Sequence, residues 1–296
     1  MTAQPFVNRA ASPAVALETT ILVHGLPKDS ATKAAELFES EVRAGGANAA
    51  LIGVVSGVPT VGMNRQELEA LINADSVPKL NTSNLGYALH SGSHGATTVS
   101  TTAELAERAG IRVFATGGIG GVHTDYHKRP DISADLGAIA RHRVAVVTSG
   151  CKNILDLAAT RELLETLGIP VIGYQTDVFP AFYQRETDLP VDARFDDPAE
   201  LADYLGFELS RKSRGVVVAN PIPSASEISH EEWGHWLSKA RNVPSVTQST
   251  GRDATPAVLA EVHRLSGGRT IEANIALACS NARLAGLLAA GLGSQK

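Results

Sequence analysis

Cysteine is scarce in this chain, and two residues among 296, Cys151 and Cys279, supply neither a disulfide framework nor a four-thiolate zinc site. That usage fits a reducing compartment. Aromatic residues, at 5%, leave little material for a surface that stacks bases. There is no excess of positive charge: 26 lysines and arginines face 31 aspartates and glutamates, a net charge of -5. Broad nucleic-acid binding is therefore not expected, although a local basic pocket is. The first twenty residues hold no 7–15-residue apolar core behind a basic start, so no secretory signal is expected. No stretch reads as the roughly 20 apolar residues that cross a bilayer. His24, His123 and His127 lack the spacing of a zinc site. What is present, 44% apolar and 19% charged residues, is the composition of a packed cytoplasmic enzyme with no membrane or nucleic-acid partner.

Short β-branched runs alternate with helical patterns along the whole length. The runs are Val15–Leu17, Ala49–Val55, Ile111–Ala115, Val144–Thr148, Val171–Gly173 and Gly215–Ala219. Most are apolar on both faces, as central strands covered from each side must be. Helical periodicity comes after them at Ala31–Ala44, Arg65–Ala74, Thr101–Ala109, Asp131–Ala140, Lys152–Leu167 and Ala199–Ser213, and again at Glu231–Ala240, Pro256–Leu265 and Glu272–Ala290. The expected fold is a three-layer α/β/α arrangement around a mostly parallel sheet, in one domain spanning residues 1–296. Phe179–Asp197, rich in Pro, Asp and Arg, reads as a surface loop or lid.

In open α/β sheets ligands bind beyond the carboxyl ends of the strands, so the residues after each run carry the chemistry. Glu18 ends the first run and could be a general acid or base, or a carboxylate capping nearby N–H groups. Lys152 comes after Ser149-Gly150-Cys151 at what reads as a strand-to-helix junction. A lysine partly desolvated there would have a nucleophilic neutral amine, though a phosphate clamp or a surface lysine is the blander alternative. Asp131 and Asp135, four apart at an expected helix start, could share one face and hold a divalent cation, or Asp131 could simply cap the helix. The hydroxyl run Thr97–Thr102 could cradle a phosphate or could be a cap. Gly118-x-Gly120 suggests a nicotinamide fingerprint only weakly, because His123 stands at the third glycine.

Eight blocks, LETTILVHGLP at 17–27, HGATTVSTT at 94–102, RVFATGGIGGVH at 112–123, DISADL at 131–136, SGCKNILD at 149–156, VIGYQTDVFPAFYQR at 171–185, VVVANPIP at 216–223 and IEANIALACSNARLA at 271–285, resemble the pseudouridine-5'-phosphate glycosidase family, also called indigoidine synthase A-like. The blocks run in family order from about residue 14 to 290. The resemblance implies reversible chemistry at C1' of ribose 5-phosphate, in which the sugar ring opens and C1' is held as a lysine adduct. It assigns Lys152 as the nucleophile and Glu18 as the proton donor. Lys79, Thr98, Val99, Ser133, Ala134, Asp135 and Asn274 fall at substrate-binding positions, and Asp131 at the ligand of manganese or another divalent ion such as magnesium. It further implies a homotrimer.

This sequence departs from the family pattern in three places. After Lys79 the family commonly reads Ser-Arg-Arg-Asp, whereas this chain has Leu80-Asn81-Thr82-Ser83-Asn84. Thr124-Asp125 replaces Arg-Gly, and Asn153 stands where serine is frequent. Altered segments beside a retained set suggest a changed partner at C1'. The expectation is thus a C-glycosynthase of antibiotic biosynthesis, joining ribose 5-phosphate to an aromatic polyketide acceptor. Cleavage of pseudouridine 5'-phosphate to uracil and ribose 5-phosphate is the alternative. A nicotinamide dehydrogenase and a non-catalytic sugar-phosphate module are the competing classes.

Overall fold

The computed structural model describes residues 5–128, 130–243, 246 and 254–293. In chain order the strands are β1 (Val7–Asn8), β2 (Ala14–Glu18), β3 (Asn48–Val55), β4 (Val58–Val61), β5 (Lys79–Leu80), β6 (Gly95–Thr97) and β7 (Val113–Ala115). Next come β8 (Val122–His123), β9 (Ala145–Thr148), β10 (Leu155–Asp156), β11 (Val171–Tyr174), β12 (Ala193–Phe195) and β13 (Val216–Ala219). The principal sheet runs in the order β1-β4-β3-β2-β7-β9-β13-β11-β12, with β6 paired to β3 and β5 to β6. Only β3–β4 and β3–β6 are antiparallel within it.

Alternation along the strands builds two cores. Val15, Leu17, Val113, Ala115, Ala145, Val147, Val216 and Val218 face one side. Ala16, Phe114, Val146, Val217 and Ala219 face the other. Against the first pack α2 (Lys28–Ala44), α8 (Pro198–Arg211), α9 (His230–Arg241) and α11 (Arg269–Gly293). Against the second pack α5 (Val99–Arg108), α6 (Ala134–Ile139) and α7 (Leu157–Thr166). The three-layer expectation holds because period-two strands with both faces apolar need a helical cover on each side. Each fully buried Leu, Ile or Phe contributes about 1.5–3 kcal/mol relative to exposure.

Three expectations need correction. The first is α11, 25 residues long with an 18-residue stretch of mean hydropathy 1.5, which is apolar and long enough to cross a membrane by length and composition. Here it packs against α2 and α8 and buries Asn274 and Asn281 at the sheet. Second, Phe179–Asp197 is a surface loop only in its later part: Phe179, Ala181, Phe182, Tyr183 and Gln184 are all buried, residues 185–197 are half-buried or exposed, and its end forms β12. Third, the helix expected from Lys152 starts only at Leu157. Asp156 caps it by accepting from the Ala159 N–H at 2.9 Å.

The order of strands also marks the ligand site. From β2 the chain builds outward to β3 and β4 on one side and then to β7, β9 and β13 on the other. This reversal between β2 and β7 opens a crevice at their carboxyl ends.

Candidate active site

Parallel pairing sets Leu17 opposite Ala115, which brings the next residues, Glu18 and Thr116, together in the crevice. The Thr116 hydroxyl donates to Glu18 Oε1. Burial pushes the Glu18 carboxyl up from 4.5 to about 7, against the lowering effects of Thr116, Lys152 and Lys79. Asp135 raises it further. Near neutral pH the group is therefore poised both to give and to take a proton.

The floor around it is fixed from α11. Asn281 donates through Nδ2 to the Thr116 carbonyl at 2.8 Å and to Ser149 Oγ at 3.1 Å. Its Oδ1 accepts from Asn220 Nδ2 at 2.9 Å. One buried amide thus ties the ends of β7, β9 and β13.

Beyond β9 the chain turns at Gly150, with φ of +84°, and a Cβ there would lie 1.8 Å from the Pro180 carbonyl oxygen. Only glycine fits. The turn lets Ser149–Lys152 run beside the loop after β7: Ser149 N–H donates to the Gly117 carbonyl at 3.0 Å, and Ile119 N–H to the Gly150 carbonyl at 3.0 Å. Lys152 stands on this extension, four residues before the cap of α7, and is exposed to solvent in the cavity. This amine therefore sits neither at a helix terminus nor in a desolvated junction. Its setting is instead an open cavity shared with Glu18 and Lys79. Lys79 also reaches solvent, yet loss of hydration and the Lys152 charge hold its amine below the ordinary lysine value. Cys151 beside Lys152 is buried, and burial pushes its thiol up to about 12, so it is no competing nucleophile.

A cavity of about 250 Å³ collects these groups. Its lining includes the expected Glu18, Lys79, Lys152 and Asn274. Asn274 Oδ1 is buried with no hydrogen-bond partner among the described residues, which is unusual unless a ligand supplies one. Phe182 and Tyr183 form one wall, and Leu259, Ala260 and His263 of α10 (Ala254–Leu265) another. Sequence reading gave no site role to these five. Phe182 and Tyr183 sat in the apparent lid, and the other three in an unremarkable helical pattern.

The other expected residues lie outside this lining. Thr98 precedes α5 and donates to the Leu80 carbonyl at 2.8 Å; Val99 is buried at the first turn. The hydroxyls of Thr97 and Thr101 are taken by the Ile52 and Leu80 carbonyls, so the threonine run as a whole is no phosphate cradle. Ser133 caps α6 by accepting from Asp135 N–H, and Ala134 begins that helix. Asp135 is buried, and its oxygens accept from Ser100 N–H at 3.0 Å and Gly120 N–H at 2.9 Å. It knits α5 to the glycine-rich loop and does not pair with Asp131.

Asp131 lies before α6, more than half exposed, with His123 Nε2 at 3.9 Å. Among the described residues no three His, Cys, Asp or Glu side chains gather into a metal cage. One carboxylate oxygen suits only a hard ion that keeps most of its water.

The altered segments also have places. Residues 80–84 and 124–125 do not line the cavity, whereas Asn153 does. Leu80 is buried in a satellite core with Val54, Leu85 and Ala88. Asn84 Nδ2 donates to the Lys79 carbonyl at 3.1 Å. Of these changed positions only Asn153 lines the cavity.

Fold and site together define a parallel-sheet enzyme in which two lysine amines and one buried carboxyl share a cavity at a strand-order reversal. The indigoidine synthase A-like family model matches residues 7–291, and the chain belongs to that family. It is 47% identical to the pseudouridine-5'-phosphate glycosidase of Solibacter usitatus (strain Ellin6076) over 97% of this chain and 98% of that one. To the enzyme of the same name from Geobacillus kaustophilus (strain HTA426) it is 45% identical over 94% and 92%. The crystal structure of an indigoidine synthase A-like protein from Thermotoga maritima superposes with a TM-score of 0.88 at 34% identity, covering 98% and 97% of the two chains. That of the prealnumycin C-glycosynthase AlnA, in complex with ribulose 5-phosphate, gives 0.87 at 36% identity over 95% and 92%.

Proposed function

We propose that this enzyme reversibly cleaves the carbon–carbon glycosidic bond of pseudouridine 5'-phosphate to uracil and ribose 5-phosphate. The observation that carries the reading is one cavity holding a buried carboxyl at about pKa 7 and two lysine amines, in a chain 47% identical along nearly its whole length to a glycosidase of that substrate. A carbon-linked base does not leave as an N-linked one does, and an amine supplies the missing electron pair.

In this scheme Glu18 delivers the proton with which the ring oxygen leaves C1'. The Lys152 amine bonds to C1'. Glu18 takes up the proton that the Lys152 nitrogen then sheds and delivers it to the base carbon, and the nitrogen lone pair forms a C1'=N bond as the C1'–carbon bond breaks, releasing uracil. Water hydrolyses the iminium and frees the sugar. Lys79 holds positive charge beside these steps, and Asn274 offers its unpartnered Oδ1 to a substrate hydroxyl or N–H. Val99 in the first turn of α5 and Ser133 and Ala134 at the start of α6 would contact the sugar phosphate largely through backbone, with Thr98 adjacent. A divalent ion, Mn2+ or Mg2+, would be held by Asp131 through one oxygen and its own waters, and would supply charge for the phosphate.

Borohydride reduction with ribose 5-phosphate tests the scheme. The native chain should gain the sugar's mass at Lys152 and Lys152→Ala should not; a native chain that never gains it overturns the scheme. The second reading, C-ribosylation of an aromatic acceptor in antibiotic biosynthesis, is favoured by the likeness to AlnA. Turnover of a naphthoquinone-type acceptor but not of uracil would put it first.

A further inference from the structure

The cavity carries a polar group that the scheme above does not use. Helix α10 sets Leu259, Ala260 and His263 on its lining, and positions 259 and 263 share one helix face. His263 is held in place. Its Nδ1 lies 2.6 Å from Thr270 Oγ1, which lies 2.9 Å from Ser266 Oγ. The Ser266 hydroxyl donates to the His263 carbonyl at 2.9 Å. A hydroxyl has one proton. With the Ser266 proton spent on that carbonyl, Thr270 donates to Ser266 and accepts from His263 Nδ1–H. The chain of bonds thus fixes the tautomer, and Nε2 is left as an acceptor with no hydrogen-bond partner among the described residues. Burial holds His263 below the ordinary histidine value, so the neutral ring prevails at pH 7.

An acceptor on a lining shared with Leu259, Ala260 and Phe182 would repel a phosphate. It suits a flat group that carries its own N–H or O–H. We infer that His263 Nε2 accepts a hydrogen bond from the aglycone and thereby sets which aglycones the cavity takes. The inference rests on the reaction proposed above. The shared chemistry is a donor on a planar ring, either a uracil N–H or a phenolic O–H.

The test pairs His263→Phe, which keeps a ring but loses the acceptor, with His263→Gln, which keeps an acceptor. The probes are pseudouridine 5'-phosphate and its N1-methyl and N3-methyl derivatives, and a hydroxynaphthoquinone acceptor and its methyl ether. In the native enzyme, methylating the bonded donor should lower kcat/KM about tenfold, the worth of one buried hydrogen bond. In His263→Phe that penalty should fall below about twofold, and in His263→Gln it should persist, the mark of a direct coupling. Coupling to an N-methyl probe names the pyrimidine as the source, and coupling to the methyl ether names the phenol. Equal penalties in native enzyme and His263→Phe for every probe, with ribose 5-phosphate still captured at Lys152, overturn the inference alone. No capture in the native enzyme overturns it together with the reaction.

Discussion

The floor and the far wall of the cavity are built on opposite terms. On the floor the polar side chains at the strand ends are tied to one another: Asn281 reaches Thr116, Ser149 and Asn220, and Thr116 reaches Glu18. On the wall, Leu259 and Ala260 present carbon, and one ring nitrogen of His263 is left over. A satisfied network permits few substitutions because each leaves a buried partner stranded. An apolar wall tolerates changes of shape for about a kilocalorie per methylene. On the proposed reaction, the chemistry and the choice of aglycone fall on separate parts of the fold.

Substitutions on the two sides should separate cleanly. The largest effect is expected at Lys152→Ala, where turnover of pseudouridine 5'-phosphate should fall by at least about 10⁴-fold, as removal of a nucleophile does, checked by steady-state rates alongside the adduct mass. Glu18→Gln should lower turnover by about 10²–10⁴-fold and also change stability with pH. The protonated Glu18 carboxyl stabilises the native state fully below pH 4.5, and that contribution is lost as pH rises through about 7. The amide variant should therefore gain on the native enzyme across this window, by on the order of 3 kcal/mol at pH 8 and little at pH 5. Urea unfolding at both values measures it, and a gap that does not grow with pH would refute the buried-carboxyl assignment. Asn281→Leu should cost about 2–4 kcal/mol in the same assay by stranding the partners that this amide holds. The smallest effect is expected on the wall, where Leu259→Ala should lower kcat/KM for the carbon-linked substrate by roughly threefold to tenfold, with unfolding within about 1 kcal/mol of native. A comparable loss of ribose 5-phosphate capture in that variant would erase the distinction between floor and wall.

Strand ends were legible in the sequence because a run apolar on both faces announces a central strand, and the residues just beyond such a run must face the crevice. That reasoning reached Glu18, Lys152 and the Gly117–Gly121 loop without coordinates. It misjudged the surroundings of Lys152. The run from 152 is apolar and helix-like, but Asp156 captures the Ala159 N–H and starts the helix later. It also offered Asp131 either as a partner of Asp135 or as the helix cap, although Ser133 is the cap and Asp135 is spent on two backbone N–H groups. The wall was invisible for a different reason. Phe182 and His263 meet over one cavity from segments some eighty positions apart, and no local periodicity reports such a meeting.

The turn at Gly150 constrains more than its own backbone. With the Pro180 carbonyl oxygen lying where a side chain would begin, the extension that carries Lys152 and the segment that carries Phe182 interlock like the two halves of a clasp. A lineage drifting toward a new acceptor would displace Lys152 if it reshaped that segment. Helix α10, which touches neither half of the clasp through this turn, is the partition it could redraw, and divergence among relatives with different acceptors should accumulate there.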